Sequence, residues 1–109
     1  MYVILTSRPG EYRTEPGEHM ESLEFWDYRL EGRLRAQFVI VRLHEASRVQ
    51  VIEEGVGGSM NLVPTRFLEK HASIEAARAA LTALARFGTL DATLTRREVP
   101  TQSRSLATP

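Results

Sequence analysis

The fold of this chain is decided by residues 22–43, which read SLEFWDYRLEGRLRAQFVIVRL. Aromatic and β-branched residues fill two runs, 22–30 and 34–43, and such residues favour strands. The triplet 31–33 between the runs contains a glycine, which indicates a tight hairpin turn. Apolar residues occupy both alternating faces of the second run. We therefore predict a strand pair whose second strand is central in its sheet or has one face covered by a partner chain.

The first run changes phase part of the way along. Its apolar alternation switches between Phe25 and Trp26. A β-bulge explains such a switch, because one extra residue shifts the alternation. A strand covered on both faces gives the same pattern, and the sequence leaves the two explanations open.

Weaker strand signals flank this pair. Residues 48–54 predict a third strand, and the short connection before it favours an antiparallel meander over a parallel crossover. Residues 2–7 predict a short strand that ends before a Pro-Gly turn. Residues 11–19 are polar and predict a loop, and residues 90–97 alternate as a last strand.

One helix is indicated over residues 73–87. Its apolar residues recur at three- and four-residue spacing, as in Ala77, Leu81 and Leu84, which is typical of an amphipathic helix. Ser73 is a good N-cap for it. Pro64 is placed to begin a separate helical turn.

Together these patterns predict an α+β fold. We expect a mainly antiparallel sheet of about five strands, a β-meander, with one amphipathic helix packed on one face. Residues 1–99 would form a single α+β domain, and the Ser-, Thr- and Pro-rich residues 100–109 a disordered tail.

Composition narrows the classes of function. The 109 residues carry 14 Lys and Arg against 14 Asp and Glu, so overall charge does not favour nucleic acid. The absence of cysteine excludes disulfides, iron–sulfur clusters, thiolate zinc sites and cysteine nucleophiles. The N-terminal residues lack the apolar length of a signal peptide, and no run approaches the roughly 20 apolar residues of a membrane span. We expect a protein of the bacterial cytoplasm with no membrane contact.

No catalytic set is visible. His19, His44 and His71 lie in separate segments without ligand spacing, so we predict no metal site. Residues 55–59 are glycine-rich, but no helix or lysine follows as in a phosphate-binding loop. We predict no catalytic residue and no cofactor, and the loop is read as a flexible connection.

Surplus apolar residues are the more informative feature. One sheet face and one helix cannot bury all of them, and an exposed apolar surface is typical of a protein-binding site. The predicted interaction residues are Trp26, Tyr28, Met60, Leu62 and Phe67. The favoured function is a small non-catalytic accessory or protein-interaction domain, with a protein partner or a second copy in a homodimer.

Two alternatives remain. One is a small-molecule binding domain or small enzyme with a pocket between helix and sheet. The other is binding of single-stranded nucleic acid by the 29–35 hairpin, where aromatic residues neighbour arginines. Acidic residues interleave there, so salt bridges explain the same arginines and nucleic acid is disfavoured. The candidate contacts for a ligand or anion are Arg29, Arg33, Arg35 and His44.

Overall fold

The computed structural model describes residues 1–55, 57–86 and 92–97. This part of the chain contains seven strands and one α-helix, and the predicted α+β class with a single helix is confirmed. In chain order the elements are β1 (Tyr2–Ser7), β2 (Tyr12–Glu15), β3 (Met20–Leu30), β4 (Arg33–Leu43), β5 (Arg48–Glu53), β6 (Met60–Pro64), a 3₁₀ turn (Thr65–Phe67), α1 (Ile74–Arg86) and β7 (Ala92–Arg97).

Four strands form one antiparallel sheet in the order β1-β4-β3-β7. The predicted hairpin joins β3 to β4 through a two-residue turn. Glu31 and Gly32 have φ angles of 53° and 78°, and a type I′ turn requires positive φ at both positions. Because β1 and β3 flank it, β4 is central in this sheet.

The other three strands form a second antiparallel sheet in the order β2-β5-β6. Here the structure differs from the expected meander, because β5 does not pair with β4. The edge of β4 that β5 would need is occupied by β1. Instead β5 pairs with β2, which lies in the predicted loop 11–19, and with β6. The helical turn predicted at Pro64 is a three-residue 3₁₀ turn, Thr65–Phe67.

The four-stranded sheet lies between α1 and the three-stranded sheet. One buried cluster fills the space between the sheets: Val3, Leu5, Val41, Leu43 and Val49. A second fills the space beneath the helix: Ala36, Phe38, Ile40, Ala77 and Leu81. Of the two explanations for the apolar pattern of β4, the structure shows the central position, and the second apolar face is covered by this chain itself. Val41 on that face is 0 % exposed, because the additional strands cover it.

A β-bulge lies in β3, two residues before the predicted position. The register passes from Ser22 opposite Val41 to Glu24 opposite Ile40, which leaves Leu23 as the extra residue. Directly opposite residues share a face of the sheet. After the bulge, every second residue of β3 lies opposite a helix-facing residue of β4 and so faces α1. These residues are Glu24, Trp26 and Tyr28.

The start of the helix follows the predicted capping. The Ala76 amide donates a hydrogen bond of 3.0 Å to the Ser73 hydroxyl oxygen. β7 confirms the last strand over Ala92–Arg97, whereas residues 90 and 91 and the predicted tail 100–109 lie outside the described residues. No helix in the described ranges has the length and apolar character needed to cross a membrane.

Candidate functional site

A groove of about 660 Å³ lies beside the C-terminal half of α1, on the helix side of the four-stranded sheet. Its floor is apolar and is formed by paired residues of β3 and β4, among them Tyr28, Ala36 and Phe38. Leu84 of α1 forms one wall and is 53 % exposed. The groove exists because one short, alanine-rich helix covers only part of this sheet face.

The opposite wall comes from the connection between β1 and β2. Arg8, Glu11 and Tyr12 line the groove there. Two backbone hydrogen bonds close this turn, from the Arg8 amide to the Tyr12 oxygen at 2.8 Å and from the Tyr12 amide to the Arg8 oxygen at 3.0 Å. The Glu54 carboxylate also accepts a bond of 3.1 Å from the Gly10 amide. The wall is thus held in place by its own backbone and by Glu54, the residue that follows β5.

A second bulge brings Arg35 to the groove. The register passes from Tyr28 opposite Ala36 to Arg29 opposite Leu34, so Arg35 is the extra residue of β4. Bulges re-aim side chains relative to the regular alternation of a strand. Arg35 accordingly lines the groove together with its neighbour Ala36.

The described residues that line the groove carry more positive than negative charge. Arg8 and Arg35 make no salt bridge to any carboxylate in the described part of the chain. Glu11 is the carboxylate on the rim, against these two guanidinium groups. Guanidinium groups bind carboxylates and phosphates through paired hydrogen bonds, and tyrosine hydroxyls donate or accept. The site therefore combines an apolar floor with groups suited to an anion.

A smaller groove of about 310 Å³ lies on the other side of Leu84, against β1. It shares Thr6 and Leu84 with the larger groove. The two grooves therefore adjoin at these two residues.

A buried carboxylate lies next to the groove, beneath α1. Glu24 is 2 % exposed and accepts hydrogen bonds from Arg78 Nε at 2.8 Å and from Trp26 Nε1 at 3.0 Å. Arg78 Nη2 also contacts it, and Arg96 Nη2 lies 3.7 Å away. The hydrogen bonds from Arg78 hold the pKa of Glu24 below its ordinary value of 4.5, although burial acts to raise that pKa. An acid–base catalyst at neutral pH needs a pKa nearer 7, so this carboxylate is suited to anchoring the helix.

A second buried carboxylate lies on the opposite face of β3. Asp27 accepts a hydrogen bond of 3.3 Å from Gln37 Nε2. It also lies 3.7 Å from Arg29 Nη1 and 3.5 Å from Arg97 Nε. Arg29 thus forms an ion pair with Asp27 and lies on the face of the sheet away from the groove.

The structure separates the residues predicted to contact an anion. Arg35 lies at the groove, and Arg33 is exposed in the hairpin. His44 lies beyond the other end of β4, where its Nε2 atom is 3.5 Å from the Glu21 carboxylate.

The predicted interaction residues are also divided. Tyr28 lines the groove, and Trp26 is half-buried beneath the helix with its indole N–H bonded to Glu24. The other three, Met60, Leu62 and Phe67, are exposed on and after β6. The groove and the β6 surface are therefore separate candidate sites.

Sequence reasoning did not identify the wall formed by Arg8, Glu11 and Tyr12. The sequence signal there is the turn at residues 9–10, which indicates a reversal of the chain but not what the reversal lies against. Sequence reasoning also missed the pairing of Glu24 with Arg78, which are 54 positions apart.

Residues 1–55, 57–86 and 92–97 contain no cluster of three or more His, Asp or Glu side chains that could hold a metal ion. Comparisons of the chain with protein-family models, with curated proteins and with solved structures found no match.

Proposed function

We propose that this chain is a small non-catalytic binding domain, and that the groove beside α1 takes a small molecule with an anionic group and an apolar body. The observation that carries this proposal is the combination of an apolar floor with two arginines that have no carboxylate partner in the described residues. Pockets for small ligands typically pair an apolar lining with a few placed polar groups.

The division of the groove suggests how such a ligand lies. An aromatic or aliphatic body rests on Tyr28 and Phe38, where burial of apolar surface favours binding. Its carboxylate or phosphate group lies at the rim against Arg8 and Arg35. A charge-assisted hydrogen bond contributes about 1.5–3 kcal/mol. Because both arginines are exposed to solvent, we expect each to contribute a binding free energy at the lower end of this range.

A panel of small molecules tests the proposal. Trp26 is the one tryptophan of the chain and lies directly opposite Phe38 in the sheet, so its emission reports on the groove floor. We expect aryl and alkyl carboxylates or phosphate esters to change this emission and to raise the melting temperature. Amine analogues of the same size have no anionic group and serve as the comparison.

Two arginine variants sharpen this test. Arg35→Gln removes a rim cation, and we expect about tenfold weaker binding, which corresponds to about 1.4 kcal/mol. Arg33→Gln is the matched control, because Arg33 is exposed at the start of β4 and does not line the groove. Equal weakening in both variants, or a panel that gives no response at millimolar concentration, contradicts the proposal.

A second proposal is that the domain binds a protein partner, including a second copy of itself. Its support is the exposure of Met60, Leu62 and Phe67, at 53 %, 49 % and 68 %. Light scattering across a concentration series measures self-association.

Both proposals include a cytoplasmic location, since a chain without cysteine has no disulfide that a reducing compartment could break. Nucleic-acid binding by the 29–35 hairpin has less support, because Arg29 faces Asp27.

A further inference from the structure

β6 is an edge strand of the three-stranded sheet. The strand order is β2-β5-β6, so β6 pairs on one side with β5 and on its other side with no strand of the described chain. An unpaired edge presents backbone N–H and C=O groups that can pair with another strand.

The hydrogen-bond phase shows which groups point outward. The Glu53 amide donates to the Ser59 oxygen at 2.8 Å, and the Thr65 amide donates to the Ser47 oxygen at 2.9 Å. Hydrogen-bonded and non-bonded pairs alternate along an antiparallel ladder. Residues 61 and 63 therefore bond to β5, and the backbone groups of residues 60, 62 and 64 point away from it.

The composition of this edge favours pairing. Residues Met60–Pro64 read MNLVP and carry no charge. The edge strand β2 carries Arg13 and Glu15, and the edge strand β7 carries Arg96 and Arg97. Charged side chains are a common means of blocking a sheet edge, and β6 lacks them.

We propose that β6 pairs antiparallel with β6 of a second copy, about a two-fold axis at Leu62. In this register the two Leu62 residues exchange a pair of hydrogen bonds, and each Met60 amide donates to the oxygen of the partner's Pro64. Pro64 has no N–H to donate, and its position at a non-bonded site of the β5 ladder is where proline is tolerated in a strand. The inference rests on the second proposal above and locates its surface.

Side-chain chemistry makes the strand complementary to itself. Pairing about Leu62 places Leu62 opposite its own copy and Met60 opposite Pro64, and apolar cross-strand pairs stabilise a sheet. No like charges meet, because the strand has none. A symmetric contact of this kind closes as a dimer, because each copy uses its single β6 edge in it.

The expected dimer is weak. A five-residue strand is about 17 Å long, and its pairing buries less than the roughly 1,200 Å² of a stable specific interface. We therefore expect a dissociation constant of roughly tens to hundreds of micromolar for the dimer. Sedimentation of the full chain between about 10 µM and 1 mM measures it.

Substitution at the two-fold axis tests the location. Leu62→Lys places like charges directly opposite one another, and we expect association at least tenfold weaker. Glu15→Lys is the matched control, because it adds positive charge to the opposite edge of the same sheet. A protein that stays monomeric at 1 mM overturns the proposal, as does equal weakening by both variants or undiminished association of Leu62→Lys.

Amide exchange of the unaltered protein gives a second readout that needs no variant. The outward amides of Met60 and Leu62 should exchange more slowly as concentration rises, whereas the amides of Asn61 and Val63, already bonded to β5, should not change. Unchanged exchange at residues 60 and 62 across a dimerising range overturns the β6 assignment. Ligand binding in the groove should be the same for Leu62→Lys and the unaltered chain, so failure here is distinguishable from failure of the groove proposal.

Discussion

Replacement of Glu24 by glutamine tests how the helix is held on the sheet. Both carboxylate oxygens of Glu24 accept hydrogen bonds, one from Trp26 Nε1 and the other from Arg78. Glutamine has nearly the same shape but offers one acceptor oxygen and one donor NH₂ group. Whichever way the amide is turned, its NH₂ faces another donor, and the ionic attraction is lost as well.

The expected cost follows from this arrangement. A hydrogen bond to a charged group contributes about 1.5–3 kcal/mol, and a buried group left without a partner costs a similar amount. The solvent that reaches Arg78 can take over its lost contact, which keeps the total near the low end. We expect Glu24→Gln to lower the free energy of unfolding by about 2 kcal/mol, which corresponds to about 10 °C in melting temperature for a domain of this size.

Thermal and urea unfolding at pH 7, followed by circular dichroism, measure this loss. Glu21→Gln is the matched control, because Glu21 lies on the same strand and is exposed. We expect it to change the unfolding free energy by less than about 0.5 kcal/mol. An unchanged stability of Glu24→Gln, or an equal loss in Glu21→Gln, refutes the idea that this carboxylate anchors the helix.

The same carboxylate gives a pH dependence with a definite sign. Its pKa is lowered in the folded protein from an ordinary value of 4.5, chiefly by hydrogen bonds from Arg78. The stabilisation is therefore fully present above pH 4.5 and is lost as the pH falls through the lowered, folded-state pKa. The stability difference between the unaltered chain and Glu24→Gln should narrow in this acidic range. A difference that stays constant or widens there contradicts the assignment.

Three further changes test the fold. Leu81→Ala, in the core beneath α1, should lower the unfolding free energy measured in urea by about 2–5 kcal/mol; a loss below 0.5 kcal/mol would be inconsistent with tight helix packing. Gly17→Ala should lower the melting temperature, because a Cβ atom there would collide with the carbonyl oxygen of Arg48; no loss would show that the two backbones separate freely. Deletion of Leu23 should leave unfolding cooperative, because Ser22 and Glu24 would then be consecutive opposite Val41 and Ile40, and the residues on both sides would keep their faces; loss of the cooperative melt would contradict this register.

The parts of the fold that the sequence predicts are those with local signals. The hairpin depends on Gly32, which adopts positive φ, and on dense apolar alternation in the strands beside it. The helix start depends on Ser73, whose hydroxyl caps the first turn. These signals act within a few residues, so they do not depend on what the rest of the chain does.

The second sheet has no comparable local signal. β2 reads YRTE and lacks an alternating apolar pattern, so its strand structure comes from pairing with β5. β6 ends at Pro64, which also suits the start of a helical turn. The groove is harder still to predict, because its walls and floor come from the β1–β2 turn, β3, β4 and α1. These segments are brought together by the sheet register, the bulge at Arg35 and the packing of α1 on the sheet.

The bulge at Leu23 determines which residues of β3 face the core between the sheets and which face α1. Before it, Met20 packs into the cluster between the two sheets; after it, Glu24 faces the helix. Among the described residues, the pairing of Glu24 with Arg78 is a polar contact between α1 and the four-stranded sheet, and Ala77 and Leu81 make apolar contacts beside it. Hydrogen bonds are directional, so this pair, together with the buried side chains of Ala77 and Leu81, restrains the rotation of α1 about its axis. Leu84 lies on the same helix, and its position as a wall of the groove therefore depends on a carboxylate that does not line the groove.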